Sequence, residues 1–109
     1  MTRAEMEAAI GPDTLATLTG YIEHGAHPGG FLEAVLSNDL RAACERADAA
    51  NRHKLFSIVS WLSNYAPWRC WGNLDSIDRW MESRRVGERR AQRYVAASIL
   101  NSRRQFGEE

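Results

Sequence analysis

Apolar residues recur along this chain at the three- and four-residue spacing of amphipathic helices. Leu55, Ile58, Val59 and Leu62 form the clearest stripe, at positions i, i+3, i+4 and i+7. No run of alternating β-branched residues is long enough for a strand. We therefore predict an all-α fold, a single compact domain of six to seven short helices over residues 1–109. The residues expected in its core are Leu18, Ile22, Phe31, Val35, Leu40, Leu55, Ile58, Val59, Leu62, Ile77 and Trp80.

Polar residues and glycines mark where these helices begin and end. Thr2 and Glu5 have the T-x-x-E spacing of a capping box, which predicts a short first helix. Gly25 is the predicted C-terminal cap of the second helix. Asn51 is the predicted N-cap of the helix that contains residues 55–62, and Asn73 that of the next helix.

The loop "HGAHPGGF" at residues 24–31 combines two histidines with three glycines and a proline. A catalytic zinc site needs three protein ligands, and no third ligand follows His24 and His27 at a recognisable spacing. A phosphate cradle is also disfavoured, because the loop lacks the Lys and Ser/Thr of a P-loop and does not follow a strand. We interpret the loop as a structural turn, and we expect no metal and no cofactor.

Known catalytic motifs are missing from the sequence. It contains no G-x-S-x-G and no HExxH, and the acidic pairs at helical spacing are typical of solvated faces. We therefore predict a protein that is not an enzyme and has no small-molecule substrate. Cys44 and Cys70 are too few for a disulfide framework, and the N-terminus lacks a signal peptide's apolar core. These features favour a cytoplasmic protein with free thiols and no membrane partner.

A formal net charge of zero conceals an uneven distribution of charge. Residues 1–67 carry five Lys/Arg and eight Asp/Glu, whereas residues 68–109 carry nine and six. Gly87 is predicted to interrupt the helical pattern, after which a last helix runs over residues 88–106. At 100° per residue its arginines share one arc and its apolar residues another. The arginine-rich segment 84–109 can be a solvated face, or it can contact an acidic protein, a nucleic acid or a membrane surface.

The predicted partner-binding residues lie in and just before this segment. Arginine offers planar, multivalent donors that suit carboxylates and phosphates, and tryptophan is a frequent anchor of protein interfaces. Four tryptophans are many for so short a chain, and Trp68, directly after Pro67, is difficult to bury. The predicted contact residues are Arg85, Arg89, Arg90 and Arg93, with Trp68 as their aromatic neighbour.

Three stretches resemble a family of small proteins encoded by tailed phages and prophages of proteobacteria. They are "YIEHGAHPGGFLEAVLSNDL", "ERADAANRHKLFSIVSWLSNYAP" and "CWGNLDSIDRWME", within residues 21–82. The shared elements are HGxxPGGF, AVLxNDL, ADxxN and WG, and each already has a capping, turning or core role. The resemblance implies a helical core over residues 21–82, to which the arginine-rich segment is an addition. It implies no catalytic residue.

Some small helical proteins from this setting are anti-CRISPR proteins, which bind host CRISPR–Cas complexes without chemistry. The resemblance therefore implies a phage-encoded inhibitor that binds a host protein complex, with a CRISPR–Cas effector as the expected partner. The alternative is a small nucleic-acid-binding or regulatory protein that uses the arginine-rich helix. An enzyme with an unfamiliar site is the third class, and it would need a deep pocket with converging titratable groups.

Overall fold

A computed structural model describes residues 2–87, and within this range helices are the only regular secondary structure, with no strand. The prediction of an all-α, single compact domain is confirmed. The helices are α1 (Arg3–Ile10), α2 (Pro12–His24), α3 (Gly30–Leu36), α4 (Leu40–Arg46), α5 (Ala49–Arg52), α6 (Leu55–Tyr65) and α7 (74–87). A 3-10 turn, Trp68–Cys70, lies between α6 and α7. Helix α7 includes Gly87, the last residue that the structure describes, so the break predicted there stays a prediction, and the helix predicted over residues 88–106 lies outside the described residues.

Most of the predicted helix caps are present, and one is displaced. The Glu5 amide donates to Thr2 Oγ1 at 3.1 Å, and the Ser76 amide donates to Asn73 Oδ1 at 2.8 Å. The prediction for Asn51 is wrong, because the Asn51 amide itself donates to Asp48 Oδ1 at 2.8 Å. Asp48 is therefore the N-cap of the one-turn helix α5, which contains Asn51. Helix α6 begins after α5 and has no side-chain cap.

One core holds the helices together. Of the predicted core residues, six are buried and three are partly buried against the core. The buried six are Leu18, Val35, Ile58, Leu62, Ile77 and Trp80, and the partly buried three are Ile22, Phe31 and Leu55. Helix α1 packs on α6 through Met6 and Ile10, which the sequence analysis did not place in the core. Tyr21 is also completely buried, although the sequence analysis did not place it in the core.

Two predicted core residues, Leu40 and Val59, are exposed, at 65% and 37%. Leu40 is the first residue of α4, directly after its Asp39 cap, and its side chain lies at the end of that helix rather than between helices. In α6 the buried face carries Trp61 in place of Val59. A large aromatic side chain three residues after Ile58 rotates the buried face away from Val59, which stays at its edge.

The end of α2 approaches α7 closely at Gly25. Gly25 has φ 70° and ψ 22°, the left-handed conformation of a helix C-cap, and its amide donates to the Tyr21 carbonyl at 3.0 Å. A methyl group at this position would lie 2.7 Å from the Met81 carbonyl oxygen and 2.9 Å from Arg84 Cβ. The missing side chain therefore sets both the turn after α2 and the distance between α2 and α7.

The core assignment in α6 is tested by a pair of truncations one turn apart. Leu62→Ala removes a completely buried side chain and should lower the free energy of unfolding by about 2–5 kcal/mol. Val59→Ala, on the exposed edge of the same helix, should change it by less than about 1 kcal/mol. Urea unfolding followed by circular dichroism measures both. Equal effects of the two substitutions would contradict the observed orientation of α6.

A second pair of substitutions tests the close approach at Gly25. Gly25→Ala should lower the free energy of unfolding by at least about 2 kcal/mol, because it adds left-handed strain and displaces α7. Gly25→Asn removes most of the strain but keeps the Cβ atom, so it should remain destabilised. Gly20→Ala, inside α2 with no atom within 4 Å of the added methyl group, is the control and should stabilise by about 0.5–1 kcal/mol. A Gly25→Asn protein as stable as the wild type would show that the contact with α7 is unimportant.

Candidate functional site

The connection between α6 and α7 is fixed from two sides. The Cys70 amide donates to the Pro67 carbonyl at 3.0 Å, which closes the turn. The buried Tyr21 hydroxyl of α2 donates to the Cys70 carbonyl at 2.6 Å. Two residues later, the Gly72 amide donates to the Leu36 carbonyl at the end of α3, at 2.7 Å. Because these backbone groups are satisfied within the fold, the turn is held in one position relative to α7.

The turn and α7 enclose a groove of about 450 Å³, which we call the tryptophan–arginine groove. The α7 residues of the groove follow one another at the three- and four-residue spacing of a single helix face. Its lining residues are Trp68 and Arg69 from the turn, and Ser76, Arg79, Trp80, Ser83 and Arg84 from α7. The groove therefore combines two indole rings with three guanidinium groups.

Two of the three arginines lie over indole rings. The Arg84 guanidinium carbon is 4.1 Å from the centre of the Trp80 ring, and that of Arg69 is 5.0 Å from the centre of the Trp68 ring. Such cation–π contacts attract the guanidinium group to the ring. Arg79 differs, because its Nε lies 3.0 Å from Asp75 Oδ2, one helical turn away in a solvent-exposed ion pair.

The two tryptophans of the groove differ in burial. Trp80 is 9% exposed, and its indole Nε1 donates to the Tyr21 and Ile22 carbonyls at 3.3 and 3.2 Å. It therefore forms a fixed base for Arg84. Trp68 is 77% exposed, so most of its ring meets solvent at the rim of the groove. An exposed indole on a fixed turn, beside a groove lined with arginines, is a candidate contact surface, because tryptophan is enriched at protein interfaces.

The structure brings only one of the predicted contact residues into the groove. Trp68 lines it, as the prediction required of an exposed aromatic residue. Arg85 is exposed, but at 100° per residue it lies roughly 180° around α7 from Ser76, away from the groove. Arg89, Arg90 and Arg93 lie outside the described residues.

Sequence reasoning missed the arginines that do line the groove, Arg69, Arg79 and Arg84. The sequence feature that could have identified them is their spacing relative to the tryptophans, not the number of arginines. Arg79 and Arg84 occupy the same helical face as Trp80, and Arg69 directly follows the exposed Trp68. A count of arginines instead drew attention to the segment after residue 84, where they are most frequent.

The histidine loop has a structural role. His27 Nδ1 accepts a hydrogen bond from the Gly29 amide at 3.0 Å, and its Nε2 lies 2.8 Å from Glu33 Oε2. A neutral ring with its proton on Nε2 satisfies both contacts, so His27 links the loop to α3. Within residues 2–87, no three His, Cys, Asp or Glu side chains converge as metal ligands would. None of the described helices has the length and apolar character needed to cross a bilayer.

The two cysteines have opposite environments. Cys44 is exposed, whereas Cys70, the last residue of the turn beside the groove, is buried. Burial raises the pKa of the Cys70 thiol from 9.0 to about 11, against smaller lowering effects of a backbone hydrogen bond and of Arg84. Burial also raises the pKa of the neighbouring Tyr21 hydroxyl. Both groups are therefore held in their neutral, protonated forms at neutral pH.

Thiol reactivity tests this environment. At pH 8 an aromatic disulfide reagent should modify Cys44 rapidly and Cys70 only after unfolding, because the thiolate is the reactive form. As the pH rises, the unfolded chain loses its Cys70 proton before the folded chain does, so the free energy of unfolding should fall between about pH 9 and pH 11. Cys44→Ser should abolish the rapid phase. Rapid modification of Cys70 in that variant would contradict the buried turn.

No family model matches the chain, and no curated protein or solved structure is significantly similar to it. The site is therefore defined by the residues of this chain alone. Its features are a fixed turn, an exposed indole and guanidinium groups held over rings. Such features are typical of surfaces that bind a partner, and the residues that line the groove include no nucleophile with a neighbouring base.

Proposed function

We propose that this protein is a non-enzymatic inhibitor that acts by binding a host protein complex, with a CRISPR–Cas effector as the expected target. The class of target rests on the resemblance to phage and prophage proteins. The observation that carries the proposal is Trp68, 77% exposed on a fixed turn beside Arg69 and Arg84. Tryptophan and arginine are the residues most enriched among the energetic centres of protein interfaces.

Preorganisation supports a role in binding. The turn that carries Trp68 is fastened by the Tyr21 hydroxyl, and Arg69 and Arg84 are already placed against indole rings. Side chains that are ordered before association lose less conformational entropy when they bind. The groove can therefore contribute affinity over a small area.

Nucleic-acid binding is the second candidate, favoured by the same exposed indole, since bases stack on aromatic rings beside cationic groups. The charge of the described region favours it less. Of the fourteen basic and fourteen acidic residues, residues 88–109 hold five and three, which leaves nine basic against eleven acidic residues before them. Nucleic-acid-binding domains usually present a broad basic surface.

A matched pair of variants tests the proposal. Affinity capture from host lysate with the full chain should recover a defined protein complex, and Trp68→Ala should lose both capture and inhibition of that complex. Leu74→Ala, a truncation of an apolar side chain that is 58% exposed outside the groove, should retain both. Both substitutions should change the free energy of unfolding by no more than about 0.5 kcal/mol, since both side chains face solvent.

Two results would contradict the proposal. Wild-type protein that captures no protein complex excludes an inhibitor acting by protein contact. Capture that requires nucleic acid and weakens steeply between low and moderate salt supports the second candidate instead, because phosphate contacts release counterions. The contributions predicted for Arg85, Arg89, Arg90 and Arg93 remain predictions.

A further inference from the structure

We propose that the tryptophan–arginine groove binds a short acidic peptide segment that contains one aromatic side chain. Carboxylates of the segment pair with Arg69 and Arg84, and its aromatic side chain packs on Trp68. This inference rests on the proposed function, since it takes the partner to be a protein. It names the chemistry by which the groove recognises that partner.

The first argument is the state of the two guanidinium groups. The guanidinium carbons of Arg69 and Arg84 lie over the Trp68 and Trp80 rings, and no carboxylate among residues 2–87 forms an ion pair with them. A guanidinium held over a ring by a cation–π contact still carries N–H donors, and these match the two oxygens of a carboxylate. The groove therefore presents two guanidinium groups, those of Arg69 and Arg84, that no carboxylate of the described region pairs with.

Arg79 is the third arginine of the groove, and it is already paired with a carboxylate outside the groove lining. It pairs with Asp75 on the same helix, which offsets one of the three positive charges. The groove thus retains two arginines for an incoming anion. Its volume of about 450 Å³ is that of a small-ligand pocket and suits a short segment rather than a duplex.

The charges around the groove favour a peptide over a polynucleotide. Asp75, Asp78 and Glu82 lie between about 200° and 260° around α7 from Ser76, so they form one flank of the helix. A phosphate backbone leaving the groove across this flank would pass these three carboxylates, of which Asp75 is paired with Arg79. A short acidic segment ends before it reaches that flank.

The exposed Trp68 ring sets the second requirement on the ligand. Trp68 is 77% exposed at the groove rim, with Arg69 over its ring. Aromatic pairs stabilise a contact beyond the apolar area that they bury. A purely acidic segment would leave this surface in water, and an aromatic side chain between acidic residues covers it.

Fluorescence anisotropy with the full chain tests the inference. The probe is a labelled peptide of Glu and Gly residues with one central Phe. Its matched controls are the same peptide with Gln in place of Glu, the same peptide with Ala in place of Phe, and an oligothymidylate of equal charge. We expect the acidic, Phe-containing peptide to bind most tightly, and the Gln and Ala peptides to bind several-fold more weakly.

Protein variants assign the contact to the groove. Arg69→Ala and Arg84→Ala should each weaken binding by about fivefold, and Arg84→Lys should not restore it, because the planar donor pair is lost. Arg41→Ala is the control, since Arg41 is 91% exposed in an ion pair with Glu45 outside the groove. That variant should bind like the wild type.

The possible failures are distinguishable. No binding of the acidic peptide, equal binding of the Gln peptide, tighter binding of oligothymidylate, or an equal loss in Arg41→Ala each overturns the inference. If the captured complex is retained by the double variant Arg69→Ala/Arg84→Ala, the inference fails while the proposed function stands. If the wild type captures no complex but the peptide results are as expected, the proposed function fails and the groove's preference for acidic peptides is established.

Discussion

The hydrogen bond from the Tyr21 hydroxyl to the Cys70 carbonyl organises the side of the molecule where binding is proposed. Tyr21 is completely buried, so its hydroxyl requires a partner inside the protein, and the Cys70 carbonyl at 2.6 Å is that partner. The backbone carbonyl of Tyr21 accepts a hydrogen bond from Trp80 Nε1. One residue of α2 therefore holds both the turn that carries Trp68 and the helix that carries Arg84, and the groove between them follows from this double attachment.

The second constraint on the groove is the absence of a side chain at Gly25. Because α2 ends there in a left-handed conformation, α7 can approach to a distance that a Cβ atom would prevent. This contact lies at Met81, directly after Trp80, and at Arg84, one turn beyond Trp80. The position of Arg84 over the Trp80 ring is therefore determined by backbone packing as well as by cation–π attraction.

Most features that depend on near neighbours in sequence were predictable, the cap at Asn51 excepted, and those that depend on distant contacts were not. The caps at Thr2 and Asn73 follow from spacings of three residues and were predicted. Periodicity placed Leu62 correctly, but it could not choose between Val59 and Trp61, because that choice depends on how α6 meets α1. The hydrogen bond from Tyr21 to Cys70 joins residues 49 positions apart, and no local sequence pattern predicts it.

The candidate site shows the same division, and it also explains why a charge count is a poor guide here. The exposure of Trp68 was predicted, because a tryptophan directly after a helix-ending proline has little to pack against. Arg69 and Arg84 were missed because their role comes from the rings beneath them rather than from the number of arginines nearby. The described region carries more acidic than basic residues, so its long-range field does not attract anions. Recognition through this groove must therefore come from short-range, oriented contacts, which individual stacked arginines supply and a diffuse basic surface does not.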